Sequence, residues 1–172
     1  MILFLFVAFF GRAAASNNDS IPLLLMDMNI QIESTEGINY MYNFDFARAD
    51  GQFRYLKKKY SWHPLPYFML GLSQWWRMVP DISNTSFDET FFAYMDSSLI
   101  ASQNIFDKGS IVEGGFFLSA THAFIGRVHA ERGNWTKAAA AGKNALKYLD
   151  YCREKEEYGA EILFGDALYN YY

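Results

Sequence analysis

Phe124-Ile125-Gly126-Arg127-Val128-His129-Ala130-Glu131-Arg132-Gly133-Asn134-Trp135-Thr136-Lys137-Ala138 is the stretch on which the fold turns. Leading into it, Phe117, Thr121, Phe124 and Val128 alternate spacings of four and three, as an antiparallel helix neighbour requires. Gly133-Asn134 then supplies a turn, and Trp135 opens a run of small residues: Ala138, Ala139, Ala141, Gly142 and Ala145. The reading is helix, tight turn, helix. The same layout occurs earlier: Glu36-Gly37-x-x-Tyr40 leads through Phe44-Asp45-Phe46 to Ala49. That alanine stands twelve residues beyond Gly37, as Ala138 stands twelve beyond Gly126. Leu70-Gly71-x-x-Gln74 and Phe164-Gly165-x-x-Leu168 offer two further glycines in comparable surroundings, and Gly37 and Gly71 are 34 apart. A glycine inside a helix costs about 1 kcal/mol relative to alanine, so each needs a packing reason. Repeated helix pairs in close approach supply one.

Working outward, proline is confined to positions 22, 64, 66 and 80, and the stretches between carry helical periodicity. Helices are expected over 28–43, 46–60, 64–78, 87–106, 111–132, 135–150 and 159–172, an all-α chain. In the second of these Phe46, Ala49, Phe53, Leu56 and Tyr60 form one stripe, with Arg48, Arg54, Lys58 and Lys59 largely off it. Ser86-Phe87-Asp88-Glu89 fits a capping box, with Ser86 as the cap and Glu89 reaching back. Gly114-Gly115 reads as a break before the fifth helix.

At these residues the chain resembles the tetratricopeptide repeat (TPR) family, whose 34-residue helix–turn–helix follows W-x2-L-G-x2-Y, A-x3-F and P. Tyr67-x-x-Leu70-Gly71, then Gly37-x-x-Tyr40 with Ala49-x-x-x-Phe53, then Ile125-Gly126 with Gly133-Asn134-Trp135, Ala138 and Ala145 fill its slots. The resemblance spans residues 28–172 and is fullest in the first and third units. Gly71 and Gly126 are 55 apart, which places an insertion near 78–87, and Gly126 and Gly165 are 39 apart. The resemblance implies an α-solenoid of about three and a half antiparallel helix pairs, similar to exported bacterial TPR proteins without an assigned reaction. It also implies a concave binding face lined by the first helix of each unit. Carried over by offset from each glycine, that face comprises Ile38, Met41, Tyr42, Phe68, Leu72, Trp75, Trp76, Arg127, Glu131 and Tyr169. The Lys and Asn pair with which some members clamp a peptide carboxylate is missing. Trp75 and Trp76 either line an open groove or pack under the 78–87 insertion.

The chain has 172 residues, 15 basic against 19 acidic, and a formal charge of −4, which excludes a basic nucleic-acid binder. Its oddity is aromatic: 16 Phe, 12 Tyr and 4 Trp, or 19% of residues. Four of the phenylalanines fall in an apolar run over 2–10 followed by Ala13-Ala14-Ala15. Such a run is too short to span a bilayer and matches the core of a secretory signal with cleavage near Ala15. Export, with only transient membrane contact through that leader, is the expectation; residues 16–27 then form a linker and start. A single cysteine, Cys152, excludes an intramolecular disulfide and Cys/His metal clusters. The final helix ends in Tyr169-Asn170-Tyr171-Tyr172 without a capping partner, which reads as truncation of a longer array or as a homodimer seam.

Chemistry is scarce. His122 and His129 share a helix face near Glu131, but their spacing is too open for a metal site. Ser119-x-x-His122 lacks an orienting acid and an elbow. Asp88, Glu89 and Asp96 read as helix start and solvated face rather than paired catalytic carboxylates. Lys57-Lys58-Lys59 complements a helix C-terminus. The expectation is therefore no catalytic residue, metal or cofactor, and an exported scaffold for a protein or peptide. The alternatives are a helical domain of a larger exported enzyme or transport assembly, and a small-molecule or lipid pocket.

Overall fold

The computed structural model of the protein describes residues 23–155. The expected leader, the residues that follow it up to 22, and the helix over 159–172 with Gly165 and Tyr169 lie outside the described residues. Those described form six α-helices and no strand: α1 (Met28–Tyr42), α2 (Phe46–Lys59), α3 (Leu65–Met78), α4 (Asp88–Asp107), α5 (Ile111–Glu131) and α6 (Trp135–Lys155). Short 3₁₀ turns occupy Leu24–Met26 and Val79–Asp81. The chain is all-α, and the helices fall close to the expected segments, except that α6 runs five residues further.

Local chemistry explains most ends. Asp27 caps α1 by accepting the Asn29 and Ile30 N–H groups, and Asp45 caps α2 by accepting that of Arg48. Three lysines close α2 where cations complement the helix dipole. Three of the connections share one geometry, in which a residue with left-handed backbone follows the helix and two N–H groups reach back to its last carbonyls. Phe44 (φ 60°) and Asp45 donate to Met41 and Tyr40; Gly133 (φ 69°) and Asn134 donate to Ala130 and His129. Gly109 (φ 98°) and Ser110 do the same to Phe106 and Ile105. Phe44 and Gly133 each lie seven residues beyond the glycines aligned above, at 37 and 126.

Two local expectations are corrected. Ser86 does not cap α4: the helix starts at Asp88, Phe87 precedes it without a side-chain cap, and the Ser86 N–H donates instead to Asn84 Oδ1. Arg132 donates to both Asp88 oxygens at 2.7 Å and also to the Ile82 and Asn84 carbonyls, tying the connection between α3 and α4 and the start of α4 to the end of α5. Asp88 is thus bound rather than solvated. Gly114 and Gly115 do not break the chain before α5 either; they lie inside it, where a Cβ on Gly114 would stand 2.8 Å from Phe106 N and one on Gly115 2.6 Å from Cys152 Sγ.

Each helix packs antiparallel to the next. Gly37 meets the Phe53 ring across α1 and α2 while Glu33 pairs with Lys59 at 3.1 Å. Asp50, a buried carboxylate on α2, accepts Ser73 Oγ at 2.7 Å and Arg77 at 3.0 Å on α3. Gly71 faces Met95 between α3 and α4, and Ser98 meets Thr121 at 3.0 Å between α4 and α5. Gly126 lies against the α6 backbone at Ala138, and Ser119 donates to the Ala145 carbonyl at 2.9 Å. It follows that α1, α3 and α5 run parallel and share one side. Phe53, Leu56, Leu70, Phe91, Met95 and Phe117 form the core between these layers.

Candidate functional site

The side shared by α1, α3 and α5 is joined by rings. Tyr42 of α1 meets Trp76 of α3 edge to face at 5.2 Å, Trp76 meets Trp75 at 5.5 Å, and Trp75 meets Phe124 of α5 at 5.3 Å. Phe124 contacts Phe68 at 5.7 Å, Phe68 contacts Phe117 at 5.8 Å, and Phe117 contacts Phe116 and His63. His63 in turn meets Trp62. Edge-to-face pairing places the positive rim of one ring on the negative face of the next. The Tyr42, Trp75 and Trp76 end of this ladder is half-buried, and burial pushes the Tyr42 hydroxyl pKa above its ordinary value. Trp75 Nε1 is buried without a hydrogen-bond acceptor.

At the opposite end of the same side lies a cavity of about 700 Å³. Its walls come from α1 between Ile30 and Tyr40, from Leu65, Phe68 and Met69 of α3, from Phe116 and Phe117 of α5, and from Leu25. A buried carboxylate fixes that last wall: Glu113 Oε1 and Oε2 accept the Leu25 and Leu24 N–H groups at 2.8 and 3.2 Å. The Gln31 amide adds a bond to the Leu25 carbonyl. Behind Glu113 stands His63, fully buried, whose Nδ1 accepts the Leu65 N–H at 3.2 Å. His63 Nε2 lies 3.3 Å from Glu113 Oε1, within ion-pair reach but out of line for a hydrogen bond. Sequence reading missed this pair. Its one signal was a histidine between Trp62 and Pro64; Glu113 reads as an ordinary acid in the first turn of a helix.

Of the residues assigned to the binding face, the structure brings Ile38 and Phe68 to the cavity and Tyr42, Trp75 and Trp76 to the ring ladder. Met41 (0% exposed) and Leu72 (4%) are corrections: both belong to the core, where the register of α1 and α3 turns them inward, and neither is open to a partner. Arg127 and Glu131 are exposed on α5 and pair with each other at 2.6 Å. The Trp75 and Trp76 ring contacts run to Phe124 and Tyr42, while Arg132 holds the connection between α3 and α4.

The remaining polar candidates are engaged structurally. His129 stacks on Phe92 at 4.8 Å and His122 on Tyr148 at 6.0 Å, and burial lowers both pKa values. Ser119 is tied to α6. Lys57 lies over the Tyr67 and Tyr94 rings. Hydrogen bonds to Glu33 and then Tyr60 raise the Lys59 pKa. Among the described residues no group of three or more His, Cys, Asp or Glu is placed to hold a metal, and no helix is long and apolar enough to cross a membrane. Comparison of the chain with protein-family models, with curated proteins and with solved structures returns no match.

Proposed function

We propose that the chain is a non-catalytic helical-repeat scaffold of TPR type, exported, that holds a protein or peptide segment on the side formed by α1, α3 and α5. The observation that carries this reading is the half-buried row of Tyr42, Trp76 and Trp75, which offers rings from alternate helices with the charged Arg127–Glu131 pair nearby on α5. Large rigid rings give contact area at low entropic cost, which is why aromatic residues are enriched where proteins bind. The shared spacing, Gly37 to Ala49 and Gly126 to Ala138, with the turn at Phe44 and Gly133 seven residues beyond each glycine, supports descent of α1–α2 and α5–α6 from one repeating unit; the turn geometry alone does not, since it recurs at Gly109 between α4 and α5. Export rests on the apolar run over 2–10 and Ala13-Ala14-Ala15.

Capture from the exported fraction, followed by hydrogen exchange on the captured complex, tests the proposal. Protection is expected on α1, α3 and α5, and Trp75→Ala/Trp76→Ala with native circular dichroism should lose the partner. Protection confined to α2, α4 and α6, or a partner retained by the double variant, would refute it. Exported material that still begins at Met1 would refute the leader.

A further inference from the structure

The cavity between the N-terminal halves of α3 and α5 and the length of α1 is distinct from the ring row at Tyr42, Trp75 and Trp76, and its reading does not depend on the scaffold proposal. We propose that it is a binding site for an uncharged amphiphile, a single hydrocarbon chain carrying a hydroxyl- or ester-bearing head, with Ser34 as the hydrogen-bonding residue. Six observations converge on this chemistry.

The volume of about 700 Å³ falls in the range of small-molecule sites, about 300–1,000 Å³. The shape suits a chain, since the lining on α1 runs from Ile30 to Tyr40, a rise of about 15 Å, the length of about a dozen extended methylene groups. Ile30, Ile38, Leu65, Phe68, Met69 and Phe116 make the surface apolar. The site is also built in advance: the Leu25 wall is held by Glu113 and Gln31, so little ordering is left for the ligand to supply.

Gln31, Thr35, Asn39 and Tyr40 are polar residues nearer the rim, and among the polar lining residues Ser34 is the buried one. It lines the cavity, is only 8% exposed, and its Oγ has no hydrogen-bond partner. A helical serine ordinarily returns its hydroxyl to the carbonyl four residues back, and a buried hydroxyl left unpaired is costly. Rotation about χ1 offers it to a ligand. Charge then selects the head group. No Lys, Arg or His lines the cavity, and the one charged lining residue is Glu36, exposed and accepting the Tyr40 hydroxyl at 3.1 Å. Arg48 reaches the outer side of the Tyr40 ring but pairs with Asp45. A fatty-acid carboxylate would meet a like charge and no counter-charge. A neutral head meets neither penalty.

Isothermal titration of the full chain with 1-dodecanoylglycerol, dodecanoate and dodecyltrimethylammonium, all below their micellar concentrations, tests this. One dodecanoylglycerol is expected per chain, with dodecanoate at least tenfold weaker. Ser34→Ala should weaken the ester by about three- to tenfold, as loss of one neutral hydrogen bond does, while the variant unfolds at the same temperature or higher. Ile38→Asp, which places a carboxylate in the wall, should abolish binding. Dodecanoate binding as tightly as the ester, or the ammonium binding more tightly, would overturn the charge argument. Absence of heat with all three, or affinity unchanged in both variants, would overturn the site.

Discussion

Gly114→Ala and Gly142→Ala place the same methyl group in two helices of similar length, and the structure predicts opposite outcomes. At Gly114 the new carbon would stand 2.8 Å from Phe106 Cβ, 2.8 Å from Phe106 N and 2.9 Å from Phe106 Cα. Two of those atoms are α4 backbone, so no side chain can swing away and the helices must part. Overpacking of this kind costs about 1–3 kcal/mol, and an obstacle made of backbone puts it at the upper end. Alanine returns about 1 kcal/mol of helix propensity, leaving a net loss of about 1–2 kcal/mol. At Gly142 nothing stands within 4 Å of the added carbon, so the full propensity gain of about 1 kcal/mol is expected. The two variants should therefore differ by about 2–3 kcal/mol in urea unfolding at unchanged m. Gly37→Ala, which strikes the fully buried Phe53 ring, should fall between them. If Gly114→Ala proves as stable as Gly142→Ala, close helix approach is not why α5 carries that glycine, and the packing account of α4 against α5 fails.

Three further outcomes follow from single contacts. Phe44 holds a left-handed backbone that costs an L-residue about 1–2 kcal/mol; Phe44→Gly relieves that strain but loses the Phe46 ring contact and adds chain entropy, so it should be near neutral. Gly133→Ala, at the matching turn, should cost about 1–2 kcal/mol, and urea unfolding of the two variants checks the contrast. His122 and His129 have pKa values lowered by burial, so folding favours their neutral forms. The unfolded chain then binds more protons, and stability present above the ordinary value of 6.5 falls as pH drops below it. His122→Phe/His129→Phe should flatten the fall in urea midpoint between about pH 7.5 and pH 5; an unchanged slope would refute the assignment. Glu113→Gln removes one of two charged acceptors for Leu24 and Leu25, so their amide exchange should accelerate, with about 1–3 kcal/mol lost overall; unchanged exchange would count against the clasp.

What the sequence discloses here is what neighbouring residues decide. Helix spacing, the Asp45 cap and the twelve-residue step from Gly37 to Ala49 and from Gly126 to Ala138 are local, and all are recognisable without coordinates. So is the equivalence of the turns at Phe44 and Gly133, although one uses a residue poorly suited to its backbone. The misreadings share a cause, which is distance along the chain. Ser86 satisfies a capping pattern, yet its N–H goes to Asn84, and the start of α4 is held instead through Asp88 by Arg132, 44 residues on. Glu113 looks solvated until Leu24 and Leu25, almost ninety residues earlier, fold over it. Met41 and Leu72 keep the right offset from their glycines, but a carried-over offset does not fix which way a helix is rotated toward its own core.

The surplus of rings has its explanation in how alternate helices meet. Consecutive helices are in direct contact, and short groups suffice to join them: Ser73 to Asp50, Ser98 to Thr121, Ser119 to the Ala145 carbonyl, glycine against ring or backbone. Alternate helices have a wider gap to cross, because neighbouring axes already stand about 8–10 Å apart. Long side chains span it, and among α1, α3 and α5 Tyr42 to Trp76, Trp75 to Phe124 and Phe68 to Phe117 are such joints. Such joints are edge-to-face, each contributing about 0.5–1.5 kcal/mol beyond area burial, and Phe106 of α4 meets Tyr148 and Tyr151 of α6 in the same manner at 5.7 and 5.8 Å. Much of the aromatic composition thus answers one structural requirement: rings hold the first, third and fifth helices together, and under the proposal above it is the half-buried end of that row that would take a partner.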